Sequence, residues 1–231
     1  ASAGKLVLTN GSVLHTGFLG NDWSWSSFSN LGTSAFTVMV NGIDGVWSWD
    51  GAAAVTHETV TAPATATWVN PAQFNVVISH MNRLWFADSS NLAVYYLPVQ
   101  QKSGEVKVLP LNAVFRRGGH VVALATWTLD GGAGMDDHLV IFSSNGECVV
   151  YTGLDPDSDF QLVGIYRFDS PMSKHCVVNY GGELYVLIST GLVPMSTLMR
   201  AESEQLGISD RNVFSAFNAV AQNYRAFAGW S

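Results

Sequence analysis

Short apolar runs separated by tight polar turns recur along the second half of this chain. Residues 139–142 and 147–151 are apolar runs on either side of a turn that ends at Gly146. Residues 184–188 and 192–193 repeat the arrangement around Gly191. Apolar runs of this length bounded by glycine turns are typical of β-hairpins. The second copy follows the first after roughly 40–50 residues, a spacing typical of propeller blades.

The same alternation of apolar runs and polar turns extends towards the N-terminus and predicts four repeats of short strands. The predicted strands are 35–40, 46–49 and an outer strand 65–69 in the first unit; 75–79, 84–87, 92–97 and 105–109 in the second; 120–128, 139–142, 147–151 and 160–168 in the third, with a long loop at 130–137; and 175–180, 184–188 and 192–195 in the fourth. Aligned on their second strands, the units place Trp47, Trp85, Val140 and Tyr185 at equivalent positions.

These units predict the fold class. Continuous apolar runs such as 121–125 are typical of strands that are buried on both faces. We therefore predict an all-β chain that forms a β-propeller or partial propeller of four-stranded antiparallel blades. A β-sandwich of many short strands is the alternative.

The two ends of the chain differ from the repeats. Asn10-Gly11 between two short apolar runs predicts an N-terminal β-hairpin. Apolar residues at helical spacing over 209–227 predict a C-terminal amphipathic helix. We expect a hairpin and Trp/Ser-rich wrapping segment at 1–34, propeller-like repeats at 35–197, and a helical extension at 198–231 that is truncated from a longer chain.

Composition narrows the function classes. With 48% hydrophobic residues, the 231-residue chain can build a core. The sequence contains no run of 18 apolar residues, so it predicts no membrane span. A net charge of −7 argues against specific nucleic-acid binding, and Arg116-Arg117 is the one adjacent basic pair. Cys148 and Cys176 lie in apolar runs, which predicts free buried thiols and a reducing compartment.

The candidate sites for metal ions or catalysis are weak. Asp155, Asp157 and Asp159 have the spacing that begins an EF-hand loop, but Phe160 replaces the glycine and Tyr166 the closing glutamate. A solvated turn is the better interpretation, and the aspartates around 130–137 are interpreted as a loop. The histidines are dispersed, and no nucleophile elbow or phosphate-binding loop is present. We predict no catalytic residue, metal ligand or cofactor site. A Ser-His-Asp triad would leave no sequence pattern, because its members need to be close only in the folded chain.

Aromatic residues supply the one candidate binding surface. Trp23 and Trp25 are two residues apart, so on an extended segment they share a face. With Phe28 and Trp47, they form the predicted interaction surface for a partner or a sugar. The better interpretation of this segment by itself is that it wraps the sheets and buries its indoles.

Three stretches resemble virion structural proteins of tailed bacteriophages with short tails. They are HLVIFSSNGECVVYTG at 138–153, FQLVGIYRF at 160–168 and GGELYVLISTGLVPMS at 181–196, and NGIDGVWSWDG at 41–51 is similar to an earlier blade. The resemblance implies a propeller-bearing tail tube or nozzle protein, which forms a homo-oligomeric ring beneath the portal and lines the path of DNA ejection. It also implies contacts with other tail and portal proteins, assembly in the host cytoplasm and a final location in the virion tail.

The sequence thus favours a non-enzymatic structural protein of a phage tail. A carbohydrate- or host-surface-binding propeller module is the alternative. A glycoside hydrolase is a third candidate, but the turns at 143–146 and 189–191 lack the aspartate of sialidase-type repeats.

Overall fold

The structure is a computed structural model that describes residues 4–30, 34–52, 54–130, 135–189 and 191–200. The chain divides into two compact units, Ala1–Pro110 and Leu111–Ser231. Within the described residues, almost all regular structure is β. The predicted helix at 209–227 lies outside the described residues.

The first unit contains an N-terminal hairpin and two four-stranded antiparallel sheets. The hairpin pairs β1 (Lys5–Val7) with β2 (Val13–Thr16), as predicted. The strands of the first blade are β3 (Ser24–Ser29), β4 (Ala35–Val40), β5 (Trp47–Trp49) and β6 (Thr56–His57). The strands of the second blade are β8 (Phe74–His80), β9 (Arg83–Asp88), β10 (Ala93–Tyr96) and β12 (Lys107–Pro110). A 3₁₀ turn at Pro71–Gln73 precedes this blade. Two short strands, β7 (Val60–Thr61) and β11 (Gly104–Glu105), pair with each other in a separate sheet.

The second unit contains a four-stranded and a three-stranded antiparallel sheet. The third blade consists of β13 (Val121–Asp130), β14 (Met135–Ser143), β15 (Glu147–Thr152) and β16 (Gln161–Arg167). The described part of the fourth blade consists of β17 (Val177–Tyr180), β18 (Glu183–Ile188) and β19 (Gly191–Pro194), followed by the helix α1 (Met195–Arg200).

The predicted fold class is confirmed. In each blade the neighbouring strands follow one another along the chain and pair antiparallel, with only the two-residue β11 inserted between β10 and β12. This up-and-down order is that of propeller blades, whereas a β-sandwich is built with Greek-key connections between two sheets. The chain is therefore an all-β protein of propeller blades. The boundaries 1–34, 35–197 and 198–231 stay predictions, although β3 shows that part of 1–34 belongs to the first blade.

The predicted order of strands is wrong in the first blade. This blade begins one strand earlier than predicted, at Ser24–Ser29, and its outer strand is Thr56–His57. Residues 65–69 form turns and no strand. Trp47 therefore lies on a third strand, whereas Trp85 lies on a second strand. The predicted loop 130–137 is also too long, because Asp130, the last residue of β13, pairs with Met135, the first residue of β14.

Serine side chains explain why β3 carries no apolar pattern. Phe28 lies on its inner face and is 2% exposed in the core of the first unit. Ser24 and Ser26 lie on the same face of β3 as Phe28, because side chains two residues apart in a strand point the same way. Their hydroxyl oxygens accept hydrogen bonds from the backbone N–H groups of Val77 (3.1 Å) and Ser79 (2.9 Å). The serines thus satisfy amides on the edge of the second blade, which would otherwise lose their partners on burial.

The core of the second unit is apolar and contains both cysteines. Each thiol is free and buried, as predicted. Burial raises the pKa of the Cys148 thiol well above its ordinary value, and it raises that of Cys176 to about 12. The remaining buried residues of this core come from β13, β14, β15, β18, β19 and the helix α1; they include Trp127, Val140, Phe142, Val150, Leu184, Val186, Val193, Met195 and Leu198.

Gly146 is required by the turn between β14 and β15. Its φ is +76°, and an added Cβ would collide with the carbonyl oxygen of Phe168. Gly181, in the turn between β17 and β18, has φ +61° and open space around it. We expect Gly181→Ala to cost about 1–2 kcal/mol for its left-handed backbone. Gly146→Ala should cost clearly more, because the backbone must also shift. Equal midpoints of denaturant unfolding for the two variants would contradict this account.

The buried thiols predict a pH dependence. In the folded state both cysteines stay protonated at pH 8, so labelling by Ellman's reagent should be slow until denaturant is added. The pKa of an unfolded cysteine thiol is 9.0, whereas the pKa of Cys176 in the folded chain is about 12. The free energy of unfolding should therefore fall as the pH rises through this interval, and Cys176→Ala should reduce the slope. Fast labelling of the native protein would contradict the burial.

Candidate functional site

Strand pairing gathers tryptophans on one face of the first blade. Trp25 pairs with Met39, Met39 with Trp47, and Trp47 with His57, so one row of side chains crosses four strands. Residues directly opposite each other in neighbouring strands point to the same face. We call this surface the aromatic face; it comprises Trp23, Trp25, Trp47, Trp49 and His57, together with His15 and Phe18, which pack against them.

Trp47 is at the centre of the aromatic face. Its ring centroid lies 4.7 Å from that of His15, 4.9 Å from His57 and 5.0 Å from Phe18. Phe18 also makes an edge-on contact with Trp23 at 4.7 Å. Edge-on and tilted pairs of this kind are favourable beyond the area that they bury. The face is therefore an ordered surface rather than a set of independent side chains.

Asp44 fixes the loop that carries Phe18. Its carboxylate accepts hydrogen bonds from the N–H groups of Leu19 (2.9 Å) and Gly20 (2.9 Å) and from the side-chain amide of Asn41 (2.6 Å). Its backbone oxygen accepts a hydrogen bond from the indole Nε1 of Trp47 at 2.7 Å. Partial burial raises the pKa of Asp44, but these donors outweigh burial and hold it below its ordinary value. One ionised residue thus joins the loop, the turn and the central indole.

The outer part of the aromatic face is open to solvent. Trp25 is 66% exposed, whereas the other indoles of the face are half-buried. Leu19 and Ile43, beside the Asp44 turn, are 78% and 54% exposed. A large aromatic side chain held on a rigid strand, with apolar neighbours, is the usual composition of a binding surface.

Three of the four predicted interaction residues belong to this surface. Trp23, Trp25 and Trp47 lie on it, whereas Phe28 lies on the opposite face of β3 and is buried. Phe28 therefore contributes to the core and not to the surface. Sequence reasoning missed Trp49, although its two-residue spacing from Trp47 is a direct signal. It also missed His15, Phe18 and His57, which come from other elements and carry no local signal.

One buried polar cluster of the first unit resembles catalytic machinery in composition. Ser48 donates a hydrogen bond to the Glu58 carboxylate at 2.5 Å, and the Lys102 ammonium pairs with the same carboxylate. Lys102 also lies 4.8 Å from the ring centre of Phe36. Ser48 and Glu58 are only 2% and 6% exposed, so this hydroxyl has no surface at which a substrate can be attacked. The cluster connects β5 to the loop that follows β10.

The aspartates singled out in the sequence form a self-contained turn. Asp159 accepts hydrogen bonds from the N–H groups of Leu154 (3.1 Å) and Asp155 (2.6 Å), and Asp155 accepts one from that of Asp157 (3.2 Å). Across the part of the chain that the structure describes, no three His, Cys, Asp or Glu side chains are grouped as metal ligands. Among the same residues, no helix is long and apolar enough to span a bilayer.

Comparisons with known proteins leave the family open. The sequence matches no protein-family model, and it matches no curated protein. Several solved structures are similar in part, among them two computationally designed proteins at 12% identity. Ika4 has a TM-score of 0.47 over 77% of this chain and 92% of its own, and Ika8 has 0.46 over 87% of this chain and 56% of its own. The fold assignment therefore depends on strand pairing alone, and the resemblance to phage tail proteins stays a prediction.

The two types of tryptophan on the aromatic face predict different costs of removal. Trp47→Ala should destabilise the first unit by about 3–5 kcal/mol, because a half-buried indole loses its ring contacts and its hydrogen bond to Asp44. Trp25→Ala should change stability by only about 0.5 kcal/mol, as expected at an exposed position. Urea unfolding followed by circular dichroism measures both. A large loss of stability in Trp25→Ala would show that this indole is structural.

Proposed function

We propose that this chain is a non-enzymatic interaction module of a bacteriophage tail, and that the aromatic face of the first blade binds a neighbouring tail protein. The observation that carries the proposal is the exposed Trp25 on a face that Asp44 and Trp47 hold in place. A rigid exposed indole contributes large contact area at little conformational cost, which is why tryptophan is enriched among binding hot spots.

The apolar surroundings favour a protein partner. Leu19 and Ile43 extend the exposed surface beyond the rings. The Trp47 indole N–H is already used within the chain, so it is not available to a polar ligand. Exposed apolar side chains of this kind suit the dry centre of a protein–protein interface.

The place in the tail comes from the sequence resemblance. In this proposal the chain is part of a tail tube or nozzle, with portal and other tail proteins as partners, and copies of the whole protein form a ring. The chain assembles in the host cytoplasm and ends in the virion tail. The net charge of −7 supports a role beside a DNA path, because an acidic wall does not retain phosphate groups.

Trp25→Ala tests the binding role. We expect the variant to fold and to bind the neighbouring tail proteins about tenfold or more weakly, since hot-spot residues contribute 2 kcal/mol or more and about 1.4 kcal/mol corresponds to tenfold. The measurement is the affinity of the purified chain for co-expressed tail and portal proteins. Trp68→Ala is the matched control, because Trp68 is 52% exposed and lies outside the aromatic face. Equal affinities for the wild type and Trp25→Ala would contradict the proposal.

A carbohydrate is the second candidate ligand. The specific observation is the flat, exposed Trp25 indole in the same row as the exposed imidazole of His57. Sugar rings stack on such indoles, and imidazole nitrogens bind hydroxyl groups. Selective glycan capture on an array, lost in Trp25→Ala and kept in Trp68→Ala, would replace the protein partner with a sugar.

A further inference from the structure

Arginines gather at one end of the third blade. Arg167 is the last residue of β16, and Arg116 and Arg117 lie in the bend that precedes β13. The carboxylate of Glu147, which is 0% exposed at the start of β15, contacts all three. One oxygen accepts hydrogen bonds from the backbone N–H groups of Arg116 (2.8 Å) and Arg117 (2.7 Å), and the other lies 3.5 Å from Nε of Arg167. Three of the chain's eleven Lys and Arg residues therefore meet at one buried side chain.

The bend that carries Arg116 and Arg117 is also held by the turn between β14 and β15. The side-chain amide of Asn145 donates a hydrogen bond to the carbonyl oxygen of Arg117 at 2.8 Å. The backbone N–H of His120 donates one to the hydroxyl oxygen of Ser144 at 3.2 Å. The backbone beneath the arginines is therefore fixed from two sides, and a fixed backbone lowers the entropy that is lost when its side chains bind a ligand.

The guanidinium groups of Arg116 and Arg117 are open to a ligand. Both side chains are exposed, and among the described residues neither guanidinium forms a hydrogen bond or an ion pair. The contacts with Glu147 use only the backbone N–H groups of these two residues. Guanidinium groups match carboxylates and phosphates in both charge and geometry, so the expected ligand is an anion.

Acidic residues of the same blade favour a short anionic ligand over a nucleic acid. Asp157 and Asp159 are exposed in the turn that precedes β16, and Asp169 is exposed just after Arg167. The acidic turn lies roughly 25 Å from Arg167 along the strand, at about 3.3 Å for each residue. DNA carries one charge for about every 1.7 Å of its axis, so a duplex that lay along β16 would meet carboxylates on both sides of Arg167. A short acidic protein segment avoids this repulsion.

We propose that Arg116 and Arg117 form a docking site for a short acidic segment of a partner protein. Each guanidinium binds an Asp or Glu carboxylate of the partner, while Glu147 and Asn145 hold the bend in place. Two charge-assisted contacts on one fixed backbone act together, whereas isolated surface ion pairs contribute little. Arginine is also enriched at protein–protein interfaces, where lysine is depleted. The proposal depends neither on the aromatic face nor on a place in a phage tail.

Fluorescence anisotropy of a labelled oligoglutamate peptide tests the site on the full chain. We expect saturable binding that weakens as salt is raised. Arg116→Gln/Arg117→Gln should raise the dissociation constant about tenfold or more, because charge-assisted hydrogen bonds are lost. The midpoint of unfolding should stay unchanged, since the backbone N–H groups still bind Glu147. Lys5→Gln/Lys107→Gln is the matched control, because it removes the same charge from exposed positions of the first unit.

Competition with an oligothymidylate of the same length separates the two kinds of anion. We expect the oligonucleotide to displace the peptide only weakly. Tighter binding of the oligonucleotide that is lost in Arg116→Gln/Arg117→Gln would assign the arginines to phosphate groups and overturn the proposal. A wild-type chain that does not bind the peptide, or an equal loss of affinity in the lysine variant, would overturn it as well.

Discussion

The two-residue alternation of β-strands is the constraint from which the first unit follows. In β3, one set of alternate residues faces the second blade and consists of serines and Phe28. The other set includes Trp25 and begins the row that crosses Met39 and Trp47. A shift of one residue in the pairing would bury the indoles against the second blade and expose Phe28. The register therefore determines both the core and the surface that we propose as the binding site.

Carboxylates hold the loops that shape these surfaces. Asp44 binds the backbone of the loop around Leu19, and Glu147 binds the backbone of the turn at Arg116. Asp88, which is 2% exposed, does the same between β9 and β10, where it accepts hydrogen bonds from the backbone N–H of Ser90 and the hydroxyl of Tyr95. In each case the oxygens of an acidic side chain accept hydrogen bonds from donors that no strand partner reaches. The charged residues of this chain are few, and these three serve architecture rather than solubility.

Sequence patterns predicted the blades well where strands are apolar and poorly where they are not. The strands of the second and third blades were placed within a few residues because the inner strands, such as β9 and β15, are buried on both faces. The first blade was displaced because β3 is serine-rich and β6 has only two residues, so neither carries an apolar signal. The lack of an apolar pattern is therefore why neither edge strand of that blade was predicted.

The candidate site was predicted in part, for an equally specific reason. The two-residue spacing of Trp23 and Trp25 correctly indicated a shared face, and the same rule excludes Phe28, which is three residues from Trp25. The contribution of His15, Phe18 and His57 depends on contacts between distant elements, which no local pattern encodes. The role of Asp44 likewise depends on a loop that is about 25 residues away, a separation typical of contacts that only the folded chain reveals.

The central claim is that the aromatic face is covered by a partner when the protein is in its working assembly. Hydroxyl-radical footprinting, read by mass spectrometry, measures the solvent exposure of individual indoles in the free chain and in the phage tail to which we propose that it belongs. We expect oxidation of Trp25 to be strong in the free chain and strongly reduced in the assembly, whereas oxidation of Trp68 stays unchanged. Equal oxidation of Trp25 in both states would show that the aromatic face remains open and would contradict the account.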